Sequence, residues 1–285
     1  MARAQAVAGV IAALLLAGCG GRGGRIVVAS KDFTEQMILG EIVAQHVERR
    51  LGLPVDRKLN LGGTLLAHKA IVAGQIDVYP EYTGTALMEI LKLPASRNAA
   101  EVENRVRAEY RSRWNLDWLP PLGFNNTFAM VIENGYETLS EAAQRRPGWR
   151  LGVGYEFLTR PDGLPGLLET YRLPLDGSPR SMNLGLLYQA LKQKQVDMVA
   201  GNSTDGLISA LGLKALRDDK SYFPPYEAAL VVRGAADPRL AEAVKELSGK
   251  FSTESMRKMN YEVDGKHRAV RDVAKDFLNN IGRQN

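Results

Sequence analysis

Alternation constrains this chain more than any other feature. From Arg25 onward, short β-branched runs give way to amphipathic helical patterns and then return. RIVVAS is a strand-like run, and the TEQMILGEIVAQHVERRLG that follows sets Leu39, Val43, Val47 and Leu51 at helical spacing before closing on Gly52. PVDRKLNL reads as a second strand, GGTLLAHKAIVAG as a helix opened by two glycines, and QIDVY as a third strand. Strands separated by helices predict an α/β fold with parallel strands and helices on both faces, because each crossover helix carries the chain back to the end of the sheet where the previous strand began.

The pattern breaks twice. After a polar helical stretch from Asn98 to Trp114, two prolines in LPPLGFNNTFAMVI precede a strand-like run. WRLGVGYEF, GLPGLLETYRL, SMNLGLLYQALKQKQ and VDMVAGNSTDGLISAL then repeat the alternation, until FPPYEAALVVR brings a second proline pair and another strand. From Asp237 the chain reads as helical, with Leu240, Val244, Leu247 and Phe251 on one face. Two proline-marked strands suggest two crossings between lobes. The expected division is a discontinuous first lobe, 26–125 plus 227–285, and a continuous second lobe, 126–226, closing on a ligand by hinge bending.

The N-terminus has the form of a secretory signal over residues 1–18: Arg3, then the apolar VIAALLLAG, too short to span a bilayer. LAGC ends it, resembling a bacterial lipobox in which Cys19 is acylated. Cys19 is the only cysteine of the 285 residues, so the mature chain has no disulfide and no thiol chemistry. Residues 19–25, with their GRGGR, read as a flexible lipidated tether. Removing residues 1–18 takes away only Arg3, so the formal charge falls from +5 to +4. A charge this small and dispersed does not suggest nucleic acid.

Several chemistries are excluded or demoted. His46, His68 and His267 are far apart and none has ligand spacing, so no metal site is expected. There is no G-x-x-x-x-G-K-[ST] phosphate loop and no G-x-S-x-G elbow. The carboxylates lie mostly on polar helix faces. What remains is a set of glycine-bearing or hydroxyl-bearing loops, each just before a helix: SKDFTEQ, NLGGT, YPEYTGT and NSTDG. Each alone is what a cap or turn requires, as with Asp32 and Glu35 or Ser203 and Gly206. Together, at one end of successive strands, they would line a crevice with N–H and hydroxyl groups suited to a small carboxylate. Tyr82, Phe128 and Tyr226 fall at the crevice or the crossings, and aromatic faces attract a quaternary ammonium.

The ordered pieces SKDFTEQ, LGGT, DVYPEYTGTAL, GFNNTFAM, YEFLTRPDG, VDMVAGNSTDG and PPYEAA, from about residue 26 to 230, resemble the substrate-binding proteins of osmoprotectant ABC importers. The resemblance implies the two-lobed periplasmic-binding-protein (type II) fold with a ligand cleft between the lobes. It implies a glycine betaine, choline, carnitine or similar trimethylammonium ligand held in an aromatic cage. Its cage positions fall on Tyr82, Phe128, Asn202 and Tyr226, and its carboxylate-holding positions on Lys31 and Thr85. Asn126, Glu156 and Arg160 match polar positions of the second lobe, although Glu156 and Arg160, four apart, also suit an ordinary ion pair. Two positions depart from the family's tyrosines: Phe128 lacks the hydroxyl and Asn202 lacks the ring. The implied protein is a monomeric, non-enzymatic receptor without cofactor, lipid-anchored on the extracytoplasmic side of the cell envelope, that delivers its ligand to the transmembrane subunit of an ABC permease. A bulkier betaine such as ergothioneine would suit the open cage wall. An enzyme on the same fold, such as porphobilinogen deaminase, needs a cysteine to hold its cofactor, and here Cys19 is already used.

Overall fold

The computed structural model describes residues 25–282, so the signal sequence, Cys19 and most of the tether lie outside the described residues. Two five-stranded sheets carry the fold. The first has the order β2-β1-β3-β10-β4, from β1 (Ile26–Ala29), β2 (Val55–Lys58), β3 (Val78–Tyr82), β4 (Leu116–Trp118) and β10 (Ala228–Arg233). The second has the order β7-β6-β8-β5-β9, from β5 (Phe128–Ile132), β6 (Leu151–Val153), β7 (Arg180–Ser181), β8 (Met198–Asn202) and β9 (Lys214–Ala215).

The helices of the first lobe are α1 (Thr34–Leu51), α2 (Thr64–Val72) and α3 (Ala99–Trp114). Those of the second are α4 (Leu139–Arg145), α5 (Tyr155–Thr159), α6 (Leu164–Tyr171), α7 (Leu187–Lys192) and α8 (Gly206–Ala210). The C-terminal helices α9 (Pro238–Lys245), α10 (Thr253–Asp264) and α11 (Val270–Ile281) return to the first. Alternation along each strand places successive side chains in separate cores. Val28, Val78, Leu230 and Val232 join the core beneath α1 and the C-terminal helices, while Val27, Ala29, Tyr79 and Val231 join the core beneath α2 and α3. The second sheet is covered on both faces in the same way.

The strands are not all parallel as expected. β1 pairs in parallel with β2 and β3, and β6 with β7 and β8, but β10 runs antiparallel to β3 and β4, and β5 antiparallel to β8 and β9. Both reversed strands are the proline-marked ones. Each arrives directly from the other sheet without a crossover helix, and so enters its own sheet from the cleft end. The segments leading into β5 and β10 pair with each other: Asn125 bridges Glu227, and Asn126 N–H donates to the Tyr226 carbonyl at 3.0 Å.

Two other boundaries differ from the sequence reading. β3 continues through Pro80 to Tyr82 instead of ending before the proline. β1 pairs with β3 only at Val28 and Val78, so proline's missing N–H breaks no ladder bond on that side. At the C-terminus α9 ends at Lys245, and Leu247 and Phe251 reach the same core as Leu240 and Val244 from beyond the helix.

Candidate functional site

All nine sequence-expected ligand residues, Lys31, Tyr82, Thr85, Asn126, Phe128, Glu156, Arg160, Asn202 and Tyr226, line one cavity of about 150 Å³ between the sheets. It forms because the strands of both sheets end there, in an open α/β arrangement where the following loops and helix starts face a common crevice.

From the first lobe, the loop after β1 brings Lys31, buried to 3% exposure. Its Nζ donates to Glu81 Oε1 at 2.6 Å and to Thr64 Oγ1 at 3.4 Å, and lies 4.8 Å from the Tyr82 ring centroid. Glu81, at 0% exposure, also accepts from Tyr82 N–H at 2.8 Å. Tyr82 closes β3, stacks with Phe33 at 6.3 Å between centroids and donates its hydroxyl to Glu35 Oε1 at 2.6 Å. Burial, and then the Glu35 charge, push the Tyr82 phenol well above its ordinary range, so it stays protonated and donates. Thr85 ends the helical turn Thr83–Thr85. There Gly84 packs so closely that a Cβ would sit 2.6 Å from the Pro225 carbonyl and 2.8 Å from the Tyr226 ring.

From the second lobe, Phe128 opens β5 directly opposite Asn202 of β8. Its ring meets Phe157 at 5.0 Å and Tyr226 at 5.7 Å between centroids. Arg160 follows α5, with its guanidinium 5.2 Å from the Phe128 centroid. Its main partner is Asp162, reached by Nε at 2.8 Å and also by Nη2, while the Glu156 carboxylate stands at 3.6 Å. Asp162 also accepts from the Tyr226 hydroxyl at 2.6 Å. Burial alone would lower the guanidinium; the Asp162 hydrogen bonds and charge outweigh it and raise it.

Contacts of this site cross between the lobes. Arg160 Nη2 donates to Thr85 Oγ1 at 3.2 Å. Glu156 accepts from Thr64 N–H at 2.6 Å and from Thr64 Oγ1 at 3.1 Å, so a carboxylate from the second lobe sits on the N-terminus of α2. A Cβ at Gly63 would lie 2.4 Å from Glu156 Oε1, so any larger residue there would push the carboxylate aside.

The loops that looked like caps are used differently. The N-caps of α1, α2 and α8 are Phe33, Gly63 and Asp205, and none makes a side-chain cap bond. Asp205 instead accepts from Asn202 N–H at 2.8 Å and Tyr188 hydroxyl at 2.5 Å, and burial pushes its carboxyl up to about 7. Sequence reasoning missed Phe33, Glu35, Glu81, Phe157 and Asp162. Asp162 was within reach, two residues beyond Arg160 in the quoted RPDG; the buried acids looked like any others on a helix or strand. Among the described residues, no group of three or more His, Cys, Asp or Glu could hold a metal, and no helix is long and apolar enough to cross a membrane.

Known proteins resemble this chain over most of its length. The family described as the substrate binding domain of ABC-type glycine betaine transport systems matches residues 24–280. A Helicobacter pylori protein named as an ergothioneine transport permease/ergothioneine binding protein is 34% identical over 267 residues; these are 90% of this chain but 48% of that protein, so the chain spans about half its length. A Pseudomonas aeruginosa glycine-betaine-binding protein is 34% identical over 270 residues, covering 88% of this chain and 86% of that one. The solved structure of a glycine betaine/carnitine/choline ABC transporter protein superposes with a TM-score of 0.74 at 29% identity, covering 90% of this chain and 98% of that one.

Proposed function

This chain belongs to the family of substrate-binding domains of ABC-type glycine betaine transport systems, and is a solute-binding protein, not an enzyme; on that premise we propose that it captures a quaternary-ammonium zwitterion and delivers it to an ABC permease. The observation that carries the reading is the cavity between the sheets walled by Tyr82, Phe128 and Tyr226. Ring faces are negative above the plane and replace the hydration of a trimethylammonium group at low cost. Lys31, Thr85 and Arg160 supply donors for the carboxylate end. Thr85 accepts from Arg160 and keeps its own hydroxyl proton to donate. Lobes of 26–125 plus 227–285 and of 126–226 close over the ligand by bending at the paired crossings.

A second reading, a bulkier betaine such as ergothioneine, is favoured by Asn202. It leaves the wall without a ring, and it also borders a neighbouring cavity lined by Glu35, Tyr188, Asp205 and Asn260. Calorimetry with glycine betaine, choline, carnitine and ergothioneine, on a chain beginning after Cys19, separates the readings. Tight glycine betaine or choline binding supports the first, and ergothioneine binding without them supports the second. Binding of none of the four refutes both.

The same proposal places the mature protein on the extracytoplasmic side, acting as a monomer tethered through acylated Cys19. Mass spectrometry of the membrane-fraction protein should find a chain that starts at Cys19 with acyl additions; an unmodified chain starting elsewhere refutes the anchor.

A further inference from the structure

Glu35 accepts three side-chain hydrogen bonds beside the cleft, yet it does not line the cavity between the rings. It is 2% exposed in the first turn of α1 and is met by donors from three other parts of the fold. Oε1 accepts from the Tyr82 hydroxyl of β3 at 2.6 Å and from Asn126 Nδ2 of the crossing segment at 2.8 Å; Oε2 accepts from Asn260 Nδ2 of α10 at 3.2 Å. Both amides turn their NH₂ groups toward it and leave Oδ1 buried without a partner. That arrangement suits an acceptor-only carboxylate.

We propose that Glu35 is a positioning residue for quaternary-ammonium binding: through the phenol hydroxyl it fixes the Tyr82 ring against the cleft and makes its face more electron-rich. The inference rests on the proposed function. A charge-assisted O–H···O⁻ bond is among the stronger ones in a protein, and drawing the phenol proton toward a carboxylate raises electron density on the ring, which strengthens its attraction for a cation. The same carboxylate joins Asn126 at the crossing and Asn260, whose Nδ2 also donates to the Thr204 carbonyl at 3.0 Å. It thereby holds the ring in register with both lobes.

The arrangement makes the effect pH-dependent. Burial raises the Glu35 carboxyl, opposed by the nearby Thr204 hydroxyl and by hydrogen bonds from Tyr82, Asn260 and Asn126. The charged and titratable groups facing this region are Tyr82 of β3, Lys31 over its ring with its partner Glu81, Tyr188 of α7, Asp205 after β8, Asp264 of α10 and Asp32 before α1. Once protonated, Glu35 is a weaker, neutral acceptor that draws less on the Tyr82 hydroxyl, so affinity falls on acidification.

The test is calorimetric titration of tetramethylammonium and choline, which do not titrate in this range, from pH 5 to 8. It uses the wild type, Glu35→Gln, Tyr82→Phe and the double variant. The expected result is about a tenfold loss at pH 7.5 in each single variant, with no further loss in the double. Wild-type affinity should fall toward that of the variants as the pH is lowered, while theirs stay flat. Asp32, Asp205 and Asp264 remain in every variant, so flatness isolates Glu35. If Glu35→Gln does not fold, the Tyr82→Phe profile decides alone, because that change removes only the hydroxyl. Additive losses, or variants that keep the wild-type slope, overturn the proposal. A wild type that binds neither probe at any pH overturns the first functional reading instead.

Discussion

Removing the Asp162 side chain should destabilise this protein severely, because it strands a buried charge. Its carboxylate is at 0% exposure and faces an Arg160 side chain at 5%. It accepts two Arg160 bonds and the Tyr226 hydroxyl at 2.6 Å. In Asp162→Ala the buried guanidinium keeps only Thr85 Oγ1 at 3.2 Å, a neutral acceptor, and Glu156 at 3.6 Å, whose side chain is 43% exposed and therefore screened. Breaking a buried ion pair from one side costs about 3–5 kcal/mol, and stranding the Tyr226 hydroxyl belongs to the same network, so the two losses do not simply add. Denaturant unfolding followed by circular dichroism should therefore show a loss of about 3–5 kcal/mol for Asp162→Ala. Arg160→Met with Asp162→Leu should recover most of it, since it removes both charges and fills the volume, while quaternary-ammonium affinity stays at least about tenfold weaker because Arg160 no longer braces Phe128. A single variant within about 1 kcal/mol of wild type, or a double variant as unstable as the single, refutes the reasoning.

Gly84→Ala should weaken ligand binding by about tenfold, because the new Cβ drives the Tyr226 ring out of place; unchanged calorimetric affinity would show that the ring tolerates the shift. Phe128→Tyr with Asn202→Tyr should tighten glycine betaine binding by a ring contact of about 0.5–2 kcal/mol, and weaken a bulkier native ligand by filling the space beside Asn202. A folded double variant with poorer glycine betaine affinity would end the incomplete-cage account. Asp205→Asn should flatten the pH dependence of stability. The folded carboxyl titrates at about 7, above its ordinary 3.8, so the folded state holds a proton the unfolded chain has lost between those values. The stabilisation is therefore full below about pH 4 and is lost as pH rises through about 7. Melting temperatures from pH 4 to 8 should drop less steeply in the variant, and an unchanged slope would refute the assignment.

The local patterns in this sequence determined a great deal by themselves. Helical and strand periods are set by side chains a few residues apart, so the alternation, the two proline-marked crossings and the loops after each strand were all legible, and the motif positions converge on one cavity. Strand direction was not, because β5 and β10 carry the same residue types whichever way they enter a sheet; their antiparallel pairing follows from the path of the chain between lobes. Side-chain partners were the other thing only the tertiary structure decided. Lys31 reads as a free cation awaiting a carboxylate, but Glu81, 50 residues away, holds it at 2.6 Å. The N-terminus of α2 reads as an open anion site, but Glu156, 92 residues away, sits on its first N–H. Glu35 reads as a first-turn acid, and what distinguishes it from a solvated one is Asn260, 225 residues further along. Charge pairing and burial depend on distance through space, and a one-dimensional pattern carries that distance only for near neighbours.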